Sequence, residues 1–164
     1  MINLPYTLEE YFADDSYRHI SEINRFYEDL GHDGTDEAEW REFLYEGFLV
    51  ILRSKEVMVG YMIISYSLPK LGNDFFDAKT DGYLFQLYLA DEIRGHGIGT
   101  KLIHYAEQKT LDYGRNRLFV ETHYMNSGME KLLNNLGYKF VEKRDYTKQY
   151  KDIDSFYLLY VKSL

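Results

Sequence analysis

Two stretches in the first third of the chain place apolar residues at the three- and four-residue spacing of an amphipathic helix. The first is predicted to start at a cap among residues 14–16 and to end at Gly31; its apolar positions are Tyr17, Ile20, Ile23, Tyr27 and Leu30. The second is predicted to start at a Thr35 cap, after a turn at residues 32–35, and to end at Gly47; its apolar positions are Trp40, Phe43 and Leu44. A first strand is predicted before both helices, over residues 4–12.

Six later strands are predicted, several of them from apolar runs. Residues 48–53 and 57–66 flank a short turn and predict a β-hairpin, in which Gly60 marks a bulge. Further strands are predicted over residues 83–90, 117–123, 139–146 and 155–161. The last two have no helix between them, so we expect them to be antiparallel. The long connection over residues 67–82 carries Phe75 and Phe76, which either anchor it to the surface or belong to a substrate lid.

Two helices are predicted between these later strands. The first covers residues 101–113 and is closed by Gly114. The second starts at a capping box formed by Ser127 and Glu130 and ends at Gly137. Its apolar positions are Met129, Leu132, Leu133 and Leu136. The strand at 83–90, the helix at 101–113 and the strand at 117–123 form a strand–helix–strand unit. A unit of this length predicts a parallel pair of strands with a right-handed crossover. The expected fold class is α/β (α+β), with a mixed, mostly antiparallel sheet of six or seven strands and helices on both faces.

The amino-acid composition limits the classes of function that are expected for this chain. At 164 residues the chain is expected to form a single domain over residues 1–164. Its 27 acidic residues outnumber 19 basic ones and give a formal net charge of −8, so nucleic acid is not expected as a partner. The acidic surface suits a cationic substrate such as an amine, or serves solubility alone. The chain has no cysteine, and its five histidines show no H-E-x-x-H spacing, so neither a disulfide nor a metal site is expected.

Hydropathy gives no sign of a membrane protein. The sequence has no run of about 18 apolar residues, and its first residues lack the basic and apolar segments of a signal peptide. We therefore expect a cytoplasmic protein without a membrane partner.

A glycine-rich segment at residues 94–100 carries the candidate chemistry. It reads Arg94-Gly95-His96-Gly97-Ile98-Gly99-Thr100 and lies between a predicted strand and a predicted helix. Glycine lets backbone amides come close to a ligand, and the first amides of a helix have no partner within the helix. The helix dipole adds positive charge there, and Arg94 adds a permanent cation. The segment therefore predicts a site for an anion, of which phosphate is the usual example.

The spacing of these residues discriminates between phosphate ligands. The dinucleotide motif G-x-G-x-x-G fails at Thr100, the sixth position counted from Gly95, and the sequence has no P-loop motif. The spacing R-x-x-G-x-G of Arg94, Gly97 and Gly99 resembles the signature motif of the GCN5-related N-acetyltransferases, which cradle the pyrophosphate of acetyl-coenzyme A.

A second segment supports the same resemblance. Residues 126–138 begin with Asn126, continue as a short helix and end in Leu-Gly-Tyr, which is similar to a later motif of the family. The resemblance covers residues 83–140 well and implies that the fourth and fifth strands splay apart. It also implies that the pantetheine arm pairs with the backbone of Leu87 and Leu89 and that Asn126 contacts the coenzyme. From the residues alone, Asn126 is equally a plain helix-entry residue. The residues expected to bind acetyl-CoA are Leu87, Leu89, Arg94, Gly95, His96, Gly97, Ile98, Gly99, Thr100 and Asn126.

The resemblance further implies two catalytic groups. The backbone amide of Leu89 would stabilise the thioester oxygen as this atom gains negative charge. Glu121 matches the glutamate of the ribosomal-protein N-terminal acetyltransferases, five residues before the asparagine, and would accept the proton of the amine. The alternative for Glu121 is a solvated or salt-bridged strand residue.

One position departs from the family pattern. Many members carry a tyrosine acid seven residues after the asparagine, where this chain has Leu133. Either Tyr138 or Tyr124 then protonates the thiolate, or the thiolate leaves unassisted. Tyr83 stands where other members carry a carboxylate on the fourth strand.

We expect an acetyl-CoA-dependent N-acetyltransferase that acts on a primary amine, on a small molecule or a protein N-terminus, by direct attack in a ternary complex. A homodimer is compatible with this expectation. The first alternative is a catalytically silent acyl-CoA-binding module, which Leu133 favours. The second is a nucleotide-binding oxidoreductase in which Glu121 binds a ribose; the failed dinucleotide motif and the lack of a second domain argue against it.

Overall fold

Seven strands form one sheet in the computed structural model, which describes residues 5–67, 75–146 and 156–164. The strands are β1 (Thr7–Phe12), β2 (Gly47–Ser54), β3 (Val57–Ser65), β4 (Asp81–Leu89), β5 (Arg117–His123), β6 (Lys139–Asp145) and β7 (Phe156–Ser163). Their order across the sheet is β1-β2-β3-β4-β5-β7-β6. β4 and β5 pair in parallel, and the other neighbouring strands pair antiparallel. The predicted mixed, mostly antiparallel sheet is confirmed.

Four α-helices pack on this sheet: α1 (Ile20–Asp29), α2 (Glu37–Leu44), α3 (Ile98–Asp112) and α4 (Ser127–Asn135). Two predicted helix starts are wrong. Residues 13–19, where the first helix was expected to be capped, form a separate 3-10 helix before α1. α3 begins at Ile98 and not at residue 101, because Gly97 adopts a left-handed φ of 76° and the helix starts directly after it.

The caps of α2 and α4 lie one residue away from their predicted positions. Asp36, and not Thr35, caps α2 by accepting a hydrogen bond from the Glu39 amide at 2.8 Å. Asn126, and not Ser127, caps α4 by accepting from the Met129 amide. The predicted capping box at Ser127 is therefore wrong. Both errors concern neighbouring residues that have cap-forming side chains, between which the local sequence does not decide.

The sheet is covered by helices on both faces, as predicted. Alternate residues of β2 point to opposite faces, and its four central residues, 49–52, are fully buried. Val50 and Leu52 belong to the core beneath α3 and α4, which also contains Leu102 and Leu133. Leu49 and Ile51 belong to the core beneath α1 and α2, with Ile23 and Trp40. Each such side chain contributes about 1.5–3 kcal/mol when it is fully buried, so the two cores hold the helices in place.

The hairpin of β2 and β3 contains the predicted bulge, next to Gly60. The register passes from Leu52 opposite Gly60 to Arg53 opposite Met58, which leaves Val59 without a partner. Gly60 has a different role. A Cβ atom at Gly60 would lie 2.7 Å from the Leu89 side chain and 2.9 Å from the Tyr88 carbonyl oxygen. Glycine therefore lets β3 approach the end of β4 closely.

An ion pair between Asp81 and Arg117 joins β4 and β5 at the start of their parallel pairing. Asp81 has no exposed surface and accepts two hydrogen bonds from Arg117, at 2.7 Å and 2.6 Å. This pair extends β4 to Asp81, two residues before the predicted start. Of the preceding connection, residues 68–74 lie outside the described residues. Phe76 packs against Tyr83 and Phe119, which supports the anchoring role predicted for it.

None of the helices in the described ranges is both long enough and apolar enough to cross a membrane.

Candidate active site

β4 and β5 separate in the middle of the sheet. Their parallel pairing covers Asp81–Leu84 against 117–120. β4 continues to Leu89 and β5 to His123, and no further pairing between the two is present in the described residues. A bulge at Phe85 marks the point of separation, since the register with β3 passes from Ile64 opposite Leu84 to Ile63 opposite Gln86. A gap therefore opens between the ends of these two strands.

The backbone of β4 directs amide groups into this gap. The Ala90 amide donates to the Val59 carbonyl at 2.9 Å, and the Tyr88 carbonyl also faces β3. Successive residues of a strand direct their N–H and C=O groups to opposite sides. The amides of Leu87 and Leu89 consequently point into the gap, at the positions predicted for pairing with a pantetheine arm.

The glycine-rich segment leads directly into the start of α3. Gly95 and Gly97 have φ values of 78° and 76°, and a Cβ atom at either position would meet no atom within 4 Å. Gly97 caps α3 without a side-chain hydrogen bond, and the first turn of the helix contains no acidic residue. The amides at the start of α3 are therefore available to a ligand, and the helix dipole favours an anion there.

The side chains of this segment have different surroundings. Arg94 donates from Nε to the Leu89 carbonyl at 2.9 Å and pairs with Asp91 at 2.8 Å, so its guanidinium lies between the turn and the end of β4. Ile98 is buried in the core, so only its backbone can face a ligand. A Cβ atom at Gly99 would lie 3.7 Å from the Leu132 side chain, an ordinary contact distance, so Gly99 lies where α3 faces α4. His96 is exposed and Thr100 is half-buried.

Asn126 has the structural role that its position suggested as one of two alternatives. Its side-chain oxygen accepts from the Met129 amide at 3.1 Å and caps α4. The residue is exposed at the end of β5, beside the gap. The cap occupies the oxygen of the side-chain amide and does not use its NH₂ group.

Glu121 lies on β5, just beyond the last residue paired with β4. Its side chain is 8% exposed and is held by the Arg144 guanidinium at 3.2 Å and by the Tyr146 hydroxyl at 2.6 Å. Burial and, after it, the negative charge of Glu121 raise the pKa of Tyr83 well above its ordinary value. The carboxylate is thus a buried, paired strand residue that lies at the gap. The salt bridge that the sequence left open as an alternative is present.

The two candidate proton donors, Tyr138 and Tyr124, have different surroundings. Tyr138 is buried and donates to Glu107 at 3.0 Å; burial and the charge of Glu107 raise the pKa of Tyr138. Glu107 is nine residues beyond Ile98, which corresponds to about 14 Å along α3. The Tyr138 hydroxyl is therefore remote from the glycine-rich segment. Leu133 is fully buried in the core. The Tyr124 ring contacts Phe156, with ring centroids 5.8 Å apart.

Three aromatic residues near the end of β4 were not predicted from the sequence to belong to the site. His32 stacks on Tyr27 with ring centroids 4.4 Å apart and meets the edge of Tyr88 at 5.0 Å. Tyr88 directly precedes Leu89, so the three rings flank the end of β4. They come from α1, the turn after it and β4, and no local pattern relates these segments. Groups of three or more His, Asp or Glu side chains that could hold a metal are absent from the described residues.

Solved structures with the same fold are acetyltransferases. A GNAT family acetyltransferase from Elizabethkingia anophelis with acetyl-CoA bound has a TM-score of 0.71, with 16% identity and coverage of 99% of this chain and 100% of the other. The IAA acetyltransferase of Bacillus cereus has a TM-score of 0.70, with 16% identity and coverage of 97% and 99%. Arabidopsis thaliana NAA60, in complex with a bisubstrate analogue, has a TM-score of 0.70, with 12% identity and coverage of 96% and 99%. A search of curated protein sequences found no match.

The sequence itself also matches a family model. The model describes the acetyltransferase (GNAT) family and aligns with residues 8–138, from β1 to the residue after the turn that follows α4. This range contains the gap between β4 and β5, the glycine-rich segment and the start of α3. Since most of the chain matches, the protein belongs to the GNAT family of acetyltransferases.

Proposed function

We propose that this protein transfers the acetyl group of acetyl-CoA to a primary amine by direct attack in a ternary complex. Two observations together carry the proposal: the gap between β4 and β5, and the start of α3, whose amides have no side-chain cap. The acceptor is an amine on a small molecule or at a peptide N-terminus. Structural neighbours include an aminoglycoside 6'-acetyltransferase and a NatC complex bound to Gag peptide and CoA, so this fold serves acceptors of both sizes.

The coenzyme site uses mainly backbone groups. The amides that follow Gly97 bind the pyrophosphate, where the missing Cβ atoms allow close approach. Arg94 adds a positive charge that is already oriented by its bond to the Leu89 carbonyl. The amides of Leu87 and Leu89 bond to the pantetheine arm, which replaces the missing pairing with β5. The exposed NH₂ group of Asn126 closes the site from the side of α4.

Acetyl-CoA supplies the acyl group as a thioester. The Leu89 amide is oriented towards the gap and donates to the carbonyl oxygen as this oxygen gains negative charge. Removal of one such donor typically costs a factor of about 10²–10³ in rate, so a fixed backbone amide contributes substantially. The walls of the gap hold the acceptor nitrogen next to the thioester, and this proximity supplies much of the remaining acceleration.

Glu121 accepts the proton that the attacking nitrogen loses as the N–C bond forms and the C–S bond breaks. Arg144 and Tyr146 hold its carboxyl group in place through contacts of 3.2 Å and 2.6 Å. The proton then passes to the departing sulfur, directly or through the Tyr146 hydroxyl. We do not assign this transfer to Tyr138, because its hydroxyl is committed to Glu107.

A protein that binds acyl-CoA without transferring the acyl group is the alternative. The buried Leu133 favours it, because α4 then supplies no hydroxyl to the sulfur. The test is release of free thiol from acetyl-CoA in the presence of a panel of primary amines and peptides with free N-termini. We expect amine-dependent thiol release and an acetylated amine detected by mass spectrometry. Tight coenzyme binding without amine-dependent release would favour the silent module, and absence of coenzyme binding would reject both.

A further inference from the structure

His32 lies next to Tyr88, near the end of β4. Its ring lies parallel to that of Tyr27, with an interplanar angle of 10° and a centroid separation of 4.4 Å. Its other neighbour is Tyr88, which directly precedes the Leu89 amide. The left-handed Gly31, with φ of 90°, turns the chain after α1 and directs it towards β4. The outer side of His32 remains exposed to solvent.

The reaction removes more protons from the amine than Glu121 can accept. An alkylamine arrives as an ammonium ion, since its pKa lies near that of lysine, about 10.4. One proton must leave before the nitrogen has a free electron pair, and a second leaves as the amide forms. The second can pass through Glu121 to the sulfur. The first has to reach solvent, and Glu121 is poorly placed for that because its side chain is only 8% exposed.

We propose that His32 is the base that takes the first proton from the incoming ammonium group and passes it to solvent. This inference rests on the proposed amine acetylation. A ring nitrogen of His32 accepts the proton, and the electron pair of the broken N–H bond remains on the amine nitrogen. The resulting imidazolium then loses its proton to water through the exposed side of the ring. No oxidant, reductant or further reactant is required.

The charged groups around His32 suit this role. Partial burial and, after it, the positive charge of Arg94 lower the pKa of His32 from its ordinary value of 6.5. The ring is therefore neutral at pH 7 and can accept a proton. The phenols of Tyr27 and Tyr88 face it from α1 and β4. Asp33 and Glu39 lie near Tyr27, whose pKa is raised by burial and, to a smaller extent, by these two carboxylates. They attract the ammonium group towards the ring.

The test compares the pH dependence of kcat/KM for the native protein and for His32→Gln, with a primary alkylamine as acceptor. At pH 7 we expect a loss of roughly 10²-fold, at the lower end for a general base. The loss should disappear near pH 10, where the free amine is already present. It should also disappear at pH 7 with trifluoroethylamine, which is largely uncharged there. For the native protein, kcat/KM should fall as the pH drops through the lowered pKa of His32.

The control is His104→Gln. His104 is also exposed and bonds to a carboxylate, Glu107, but it lies on α3 away from the gap. Its substitution should leave the pH profile unchanged. A second variant, His32→Ala, should regain activity when imidazole is added, which a purely structural role of the ring would not produce. Coenzyme affinity and the melting temperature of each variant separate a lost base from a damaged fold.

The outcomes separate this inference from the proposed function. If the native protein acetylates amines and His32→Gln retains its rate at pH 7, the assignment of His32 is overturned while the function stands. A deficit that is equal at pH 7 and pH 10, without rescue by imidazole, also overturns it. If the native protein acetylates no amine at any pH, both fail together.

Discussion

At the scale of single residues, Glu121 and Glu107 form a matched pair. Each is a largely buried carboxylate, with 8% and 12% of the side chain exposed, and each is bonded to a Lys or Arg cation and a tyrosine hydroxyl; Glu107 is also bonded to His104. Arg144 and Tyr146 hold Glu121, whereas Lys162 and Tyr138 hold Glu107. Only Glu121 lies at the gap. Their local chemistry is similar, so a difference between variants reports on position.

We expect Glu121→Gln to reduce kcat by roughly 10²–10⁴-fold, the usual range for the loss of a general acid or base. Coenzyme affinity should change little, since Glu121 does not belong to the phosphate site. The deficit should persist at high pH, because Glu121 acts on the proton lost during bond formation. A pH-independent loss of kcat would distinguish Glu121→Gln from His32→Gln, whose deficit is expected to disappear at high pH. Steady-state kinetics at pH 7 and pH 10 measure both.

Glu107→Gln is the control for this experiment. It removes a carboxylate that is about as buried as Glu121, so the two variants should lose similar stability in thermal unfolding. The Glu107→Gln variant should nevertheless retain its kcat. Equal losses of kcat in both variants would reduce Glu121 to a structural residue.

His32 and the partners of Glu121 could not be predicted from the sequence. Glu121 was identified by its spacing from Asn126, which is local information. Arg144 lies on β6 and Tyr146 directly after it. They can reach Glu121 because β7 pairs with both β5 and β6 and so brings β6 into the same sheet. His32 reaches Tyr88 only because α1 packs on the face that Tyr88 also occupies. Such contacts depend on the tertiary arrangement and leave no signal at a fixed sequence spacing.

At the scale of elements, the two glycines that flank α3 offer a second matched pair. Gly97 precedes the helix with φ of 76° and Gly114 follows it with φ of 77°, and a Cβ atom at either would meet no atom within 4 Å. An alanine at each position therefore carries the same backbone strain, about 1–2 kcal/mol for a left-handed residue. Only Gly97 lies where the pyrophosphate is proposed to bind.

We expect Gly97→Ala to weaken coenzyme A binding about tenfold or more, because a methyl group then blocks the approach of phosphate to the amides that follow it. Gly114→Ala should lose similar stability and keep its affinity. Isothermal titration with coenzyme A, together with thermal unfolding, measures the two effects. Unchanged affinity in Gly97→Ala would contradict the placement of the pyrophosphate.

The order and type of the elements were largely predictable, because periodicity and turn residues are local signals. Residues 117–123 were predicted as a strand and form β5 with these bounds. The ends of helices were less predictable. Thr35 and Asp36 are both good caps, and only the fold decides between them: the Thr35 amide is bonded to Asn24 on α1. α3 starts early because a left-handed Gly97 serves as its cap, which the glycine pattern alone did not reveal.

At the scale of the whole molecule, the net charge of −8 is distributed so that carboxylates lie near the proposed amine site. Asp36 caps α2 and Glu37 pairs with Arg41, which leaves Asp33 and Glu39 beside Tyr27. We expect the KM of a cationic amine to rise severalfold between about 0.05 and 0.5 M salt, as the Debye length falls well below 10 Å.

An acceptor that is uncharged at the assay pH provides the control. Its KM should show little dependence on salt, since screening acts on the attraction between charges. A salt-independent KM for both acceptors would show that the acidic residues do not attract the substrate and are ordinary solvated surface.

The short seam between β4 and β5 has a consequence for how the chain folds. It joins a meander of strands β1–β4 to the strands β5–β7 through four residue pairs, and its partners Asp81 and Arg117 are 36 positions apart in sequence. The hairpin of β2 and β3 closes a far smaller loop and so costs less entropy to form. Each half can therefore acquire its own strand pairing before the seam closes, and the buried charge of Asp81 opposes closure until Arg117 arrives. The same short pairing that opens the gap therefore favours late closure of the seam during folding.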